Sequence, residues 1–79
     1  MTKQDARNEI VHLINLGRYK ATEKNDYKPV AWKDIAKTCE IDTANMSKIV
    51  TGVTEPSAGT FYRIIDALGM YIKIQPKGE

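Results

Sequence analysis

The chain has few of the residues that reinforce small proteins through covalent or metal bonds. Among its 79 residues there is one cysteine, Cys39, and one histidine, His12. A single cysteine cannot form an internal disulfide, and one cysteine with one histidine cannot complete a Cys/His zinc site. A core of this size supplies only about 3–5 kcal/mol of stability. We therefore expect an intracellular domain that has no metal or cofactor and gains stability by dimerisation.

The sequence also lacks long apolar runs and the residue clusters that enzymes use. The N-terminal segment MTKQDARNEI is polar, and nowhere do about 18 apolar residues follow one another. There is no glycine-rich phosphate loop and no clustered set of acids and bases around the only histidine. These absences predict a soluble, cytoplasmic protein that is not an enzyme and has no membrane partner.

Charge is nearly balanced overall but unevenly placed. Twelve Lys/Arg against ten Asp/Glu give a net charge of +2, which is too small to indicate a polyanion partner. Residues 18–37, however, contain six basic and three acidic residues, and no acidic residue lies between Asp42 and Glu55. The distribution is therefore more informative than the total.

Hydrophobic spacing predicts a mainly α, four-helix domain spanning residues 1–79. Thr2 and Asp5 form a capping box for a helix from about residue 3 to about residue 20, within an N-terminal unit 1–24. A second helix covers about 31–38 and a third, capped by Asp42, about 43–51; Ser57 caps the fourth, in a unit 57–69. The inward residues at helical spacing are Ala6, Ile10, Leu13, Ile14 and Gly17, then Ile35, Ala36 and Cys39, then Met46 and Ile49, then Phe61, Ile64, Ile65 and Leu68.

The spacing of the apolar residues changes after Gly69, because in the segment MYIKIQP they recur at every second position. Its residues divide between two faces, Met70, Ile72 and Ile74 on one and Tyr71 and Lys73 on the other. A lone strand exposes unpaired backbone groups, and the chain offers no second convincing strand. We therefore expect residues 70–75 to form a dimerisation strand that pairs with the same strand of a second copy about a two-fold axis.

The central segment, IAKTCEIDTANMSKIVTG over residues 35–52, has the spacing of two short helices that meet at a tight turn. The motifs IA, ID, MSKI, TG, EPS, TFYRI and DALG follow one another in register from Ile35 to Gly69. Over these 35 of 79 residues the chain resembles the phage-repressor and Cro type of helix-turn-helix proteins, also called the XRE family. The tail GMYIKIQPKGE resembles that of HipB-like antitoxins, in which such a strand joins two protomers.

The resemblance implies a four-helix repressor-like domain with a helix-turn-helix at 31–52 and a short C-terminal β-strand that pairs between protomers. It implies a sequence-specific transcriptional regulator that binds double-stranded DNA as a homodimer, with recognition helix 43–51 in the major groove of a near-palindromic operator. The positions that match the family's contacts are Thr43, Ala44 and Lys48 for bases, Asn45 and Ser47 for bases or phosphates, and Thr51, Thr54, Trp32 and Lys33 for phosphates.

Four positions depart from the family pattern. Glu40 replaces the glycine of the turn, which costs on the order of 1 kcal/mol if the residue adopts a positive φ. Trp32 replaces a glutamine that often touches phosphate, Ala31 replaces a Ser or Thr cap, and Val50 replaces a glutamate. None of these changes alters the hydrophobic framework.

Several alternatives stay open at this stage. The chain could instead be an antitoxin-type interaction module whose main partner is a toxin protein and whose DNA affinity is weak. Cys39 is either a small buried hydrophobe or a redox sensor, and Tyr62 and Tyr71 belong to the core or to a dimer interface. The lysines at 20, 24 and 28 either solvate the first connection or flank a DNA backbone.

Overall fold

A computed structural model describes residues 1–77, so the last two residues of the expected domain 1–79 lie outside the described part. Four helices follow in order, α1 (Lys3–Lys24), α2 (Trp32–Thr38), α3 (Thr43–Val50) and α4 (Ala58–Ala67). The mainly helical fold predicted from the sequence is confirmed. Among the described residues, no helix has both the length and the apolar character needed to cross a membrane.

The capping box that begins α1 is confirmed. The Asp5 N–H donates to the Thr2 hydroxyl oxygen over 3.1 Å, and the Thr2 N–H donates to the Asp5 carboxylate over 3.0 Å. The hydrogen bonds from Thr2 lower the pKa of the Asp5 carboxyl. The backbone N–H groups of Thr2 and Asp5, which would otherwise lack a partner at the helix start, thus each bond to the other residue's side chain.

The end of α1 differs from the sequence-based expectation. The helix continues to Lys24, four residues past the predicted end near residue 20. Ala21 in this extra turn packs against the core, and the Asn25 N–H donates to the carbonyl oxygens of Ala21 and Thr22, both at 3.1 Å. The polar sequence of the turn conceals this contact, because Ala21 is the one apolar residue among residues 21–24.

One core joins all four helices. Ile10, Phe61 and other half-buried residues surround a cluster in which every member is at most 6% exposed. The buried cluster consists of Ile14, Ile35, Ala36, Cys39, Met46, Ile49, Ile64, Ile65 and Leu68. Each inward face predicted from helical spacing contributes to it, and the predicted caps Asp42 and Ser57 accept hydrogen bonds from the backbone of Asn45 and Thr60.

Cys39 belongs to this core and is 4% exposed. Its thiol donates to the Arg63 carbonyl oxygen on α4 over 3.4 Å, and burial raises the pKa of the thiol. A buried thiol with a raised pKa is less reactive than an exposed one. The structure therefore favours the interpretation of Cys39 as a small buried hydrophobe.

The turn between α2 and α3 comprises residues 39–42 and has Glu40 in the left-handed region, at φ 57°. The Glu40 N–H donates to the Lys37 carbonyl oxygen over 3.2 Å and the Ile41 N–H to that of Ala36 over 2.8 Å, the bonding pattern of a Schellman motif. Gly52 after α3 and Gly69 after α4 occupy the equivalent position, at φ 82° and 75°. Glu40 thus takes a place that glycine takes elsewhere in the same chain.

Replacing Glu40 by glycine is expected to stabilise the protein by about 0.5–1 kcal/mol, because the strain of a left-handed non-glycine residue exceeds the extra entropy of an unfolded glycine. Urea unfolding followed by circular dichroism measures this difference. Glu40→Ala is the matched control, since it removes the carboxylate but keeps the Cβ, and it should give no comparable gain. A glycine variant no more stable than the alanine variant would show that the turn is unstrained.

The tail after α4 does not form the predicted strand within a single chain. Among residues 1–77 no strand is present, and residues 70–76 have no regular secondary structure. Met70 packs against the core, whereas Tyr71 and Ile74 are 86% and 87% exposed. A strand needs a partner for its backbone groups, and no other described segment provides one.

Candidate nucleic-acid interface

The outward face of α3 gathers the residues expected to contact bases. Met46 and Ile49, 1% and 2% exposed, hold the helix against the core. Because they lie three residues apart on one side of the helix, the opposite side faces solvent. The expected contact residues that are exposed on α3 are Thr43, Ala44, Asn45, Ser47 and Lys48. All five predicted positions of this helix are therefore accessible to a ligand.

The charge of this face is small and of one sign. Lys48 is the only charged residue of α3, and it lies in the last turn of the helix. The nearest acidic residue before the helix, Asp42, uses its carboxylate to accept the Asn45 N–H over 3.4 Å. Within α3 the face therefore offers small side chains and one cation, while the exposed Asp42 carboxylate lies just before its first residue.

The two threonines expected to bind phosphates, Thr51 and Thr54, have hydroxyl groups that are bonded within the chain or buried. The Thr51 hydroxyl donates to the Ser47 carbonyl oxygen over 2.8 Å, a bond that threonines often make to their own helix. The Thr54 hydroxyl oxygen is buried and has no hydrogen-bond partner. The Thr51 O–H must turn away from Ser47, and the Thr54 hydroxyl must leave its buried position, before either can donate to a phosphate.

The start of α2 places Trp32 and Lys33 in different environments. Trp32 is half-buried against the core, and the Arg18 guanidinium carbon lies 5.2 Å from the centre of its ring. Arg18 also donates from Nε to the Val30 carbonyl oxygen over 2.7 Å. Lys33 is exposed, so it is the more accessible of the two expected phosphate contacts. The role of Arg18 was missed from sequence because its partners lie 12 and 14 residues away.

An apolar groove of about 140 Å³ lies between α1, the end of α4 and the tail. Its lining includes Leu13, Leu16, Gly17, Lys20, Ile65, Met70, Tyr71 and Ile72. A Cβ on Gly17 would lie 3.2 Å from Leu68 Cδ1, so the glycine allows close packing below the groove. Tyr62 and Tyr71 are 55% and 86% exposed, so the core interpretation of these two tyrosines is wrong.

Comparisons of the chain with protein families, with curated proteins and with solved structures give no match in any of the three. Three features are relevant to function: the acid-free outer face of α3, the exposed lysine at the start of α2, and the exposed apolar side chains around the tail.

Proposed function

We propose that this protein is a sequence-specific regulator of transcription that binds double-stranded DNA as a homodimer, with α3 in the major groove. The strongest support is the outer face of α3, where small side chains and Lys48 are exposed on a helix anchored to the core by Met46 and Ile49. The major groove, about 12 Å wide, admits one α-helix. Because the side chains of this face are small and all but Lys48 are uncharged, the helix can approach base edges closely.

Each proposed contact follows from the chemistry of its side chain. Lys48 can donate to guanine O6 or N7, and Ala44 can pack on a thymine methyl group. Thr43 offers a hydroxyl and a methyl group, with Asn45 and Ser47 beside it. Phosphate contacts would come from Lys33 and Trp32 on α2, and from Thr51 and Thr54 once their hydroxyl groups have rotated.

The tail supports the homodimer part of the proposal. Tyr71, Ile72 and Ile74 are exposed large hydrophobic residues in a segment that alternates like a strand but has no partner strand among residues 1–77. Antiparallel pairing of residues 70–75 with a second copy would satisfy the backbone and cover these side chains. Two copies related in this way would read two half-sites about one helical turn, roughly 34 Å, apart.

A second candidate function is an interaction module for another protein, such as a toxin bound by its antitoxin. The apolar groove and the exposed Leu16, Tyr62 and Tyr71 favour it, because exposed apolar surface often marks a protein partner. In that case the groove would bind the partner protein and α3 would have little affinity for DNA.

Salt dependence of binding to a duplex of random sequence distinguishes the two functions. For the proposed regulator, the logarithm of the binding constant should fall linearly with the logarithm of the salt concentration. The slope should be about 0.9 for each phosphate contact. Lys33→Gln should reduce that slope by about 1.8, because a dimer loses two contacts. Lys3→Gln, which removes an exposed lysine at the start of α1, is the matched control and should leave the slope unchanged. Absent or salt-insensitive binding would favour the interaction module.

A further inference from the structure

The connection that follows α1 has an unusual backbone. We call residues 24–28 the α1–α2 turn. The Tyr27 N–H donates to the Thr22 carbonyl oxygen over 2.9 Å, which ends the helix as a Schellman motif does. Asp26 and Tyr27 both have positive φ, 54° and 61°, whereas α2, α3 and α4 each end with one such residue. A non-glycine residue in this region costs on the order of 1 kcal/mol, and least for Asp and Asn, so the strain falls mainly on Tyr27, which is 75% exposed.

Hydrogen bonds within the turn fix its backbone. The Asn25 side-chain amide donates to the Lys28 carbonyl oxygen over 3.2 Å, and the Lys28 N–H donates to the Asn25 carbonyl oxygen over 3.0 Å. Arg18 then fixes the following residues through its bond to the Val30 carbonyl oxygen and its contact with the Trp32 ring. The backbone that joins α1 to α2 is therefore held on both sides of the turn.

The exposed surface of the α1–α2 turn suits a polyanion. Lys24 and Lys28 are exposed on either side of Tyr27, and Asp26 is the one acidic residue between them. Lysine binds phosphate as a point charge, and a tyrosine hydroxyl donates hydrogen bonds to phosphate oxygens. In helix-turn-helix complexes the helix before the recognition helix crosses the DNA backbone. Only residues 29–31 separate the turn from the start of that helix, which is α2 here.

We infer that the α1–α2 turn is a second DNA contact, in which Lys24, Tyr27 and Lys28 bind backbone phosphates outside the base pairs read by α3. The inference rests on the proposed function, because α3 must first place the protein on DNA. The contact adds affinity without adding sequence preference, and Arg18 acts in it as a positioning residue.

Two duplexes containing the selected operator test this inference with the full chain. One ends at the outer edges of the half-sites, and the other continues for about 10 base pairs, one helical turn, on each side. The wild type should bind the longer duplex more tightly. Lys24→Gln/Lys28→Gln should lose that advantage, and its salt slope on the longer duplex should fall by about 3.6, for four lysines in a dimer. Asp26→Asn should bind the longer duplex more tightly than the wild type, since asparagine tolerates the same backbone and lacks the charge.

The matched control is Lys3→Gln/Lys77→Gln, which removes the same charge from exposed positions elsewhere in the chain. It should keep the preference for the longer duplex. If Lys24→Gln/Lys28→Gln keeps both that preference and the wild-type salt slope, the inference is overturned while the proposed function stands. If the wild type binds neither operator duplex better than random DNA, the proposed function fails and the inference fails with it.

Discussion

Replacing Ile72 and Ile74 by aspartate is expected to convert the dimer to monomers and to weaken operator binding by about a thousandfold or more. Both residues are exposed in one chain, at 37% and 87%, so a monomer tolerates the charges. In a paired strand the same carboxylates would be buried without partners, which is costly. The Kd of a specific complex is about 10⁻⁸–10⁻¹¹ M, and that of non-specific binding is about 10⁻⁴–10⁻⁶ M. The Kd of the variant for the operator would approach the non-specific range.

Sedimentation equilibrium and operator titration measure the two halves of this prediction on the same sample. Lys73→Pro tests backbone pairing separately, because proline removes a donor without adding charge, and Lys73→Ala is its matched control. The alanine variant should remain dimeric while the proline variant dissociates. A monomeric variant that still binds the operator as tightly as the wild type would contradict the dimer mechanism.

Truncating Lys48 to alanine is expected to reduce operator affinity by about 30-fold to 10⁴-fold. A good base contact contributes about 1–3 kcal/mol, and a dimer makes each contact twice. Because Lys48 is exposed and outside the core, the free energy of unfolding should change by less than about 0.5 kcal/mol. Specificity should relax at one base position of each half-site, as expected for a residue that reads a base.

Competition titration with operators changed at single positions tests this prediction. Thr43→Ala should show a smaller loss at a neighbouring position. Lys3→Ala, which removes an exposed lysine near the start of α1, is the control and should keep the wild-type sequence preference. If Lys48→Ala weakens all sequences equally, Lys48 contacts a phosphate rather than a base. If it weakens none, α3 is not the reading helix.

The parts of the fold that depend on local sequence were predictable. Thr2, Asp42 and Ser57 each present a side-chain oxygen to a backbone N–H three residues later, so the capping pattern is visible in the sequence. Helical spacing located the buried faces in the same way, because one face of each helix must turn inward. The exposed side of α3 followed from the burial of Met46 and Ile49 on its other side.

Features that depend on distant residues or on rotamers were not predictable. The last turn of α1 is helical because Ala21 meets the core, and the Arg18 contacts with Val30 and Trp32 join residues far apart in the chain. Nothing in the spacing shows that the Thr51 hydroxyl bonds to its own helix or that the Thr54 hydroxyl is buried. The expected strand at 70–75 is not formed among residues 1–77, because a strand there would need a partner from a second chain.

Selection of bound duplexes from a random pool at physiological salt, beside a measurement of oligomeric state, tests the central claim most directly. The account predicts enrichment of a near-palindrome whose half-sites lie about one helical turn, roughly 34 Å, apart, bound by two copies of the chain. A pool that remains random after repeated rounds, with the protein folded and dimeric, would contradict sequence-specific DNA binding. In that case the interaction module would become the better account of the exposed apolar surface.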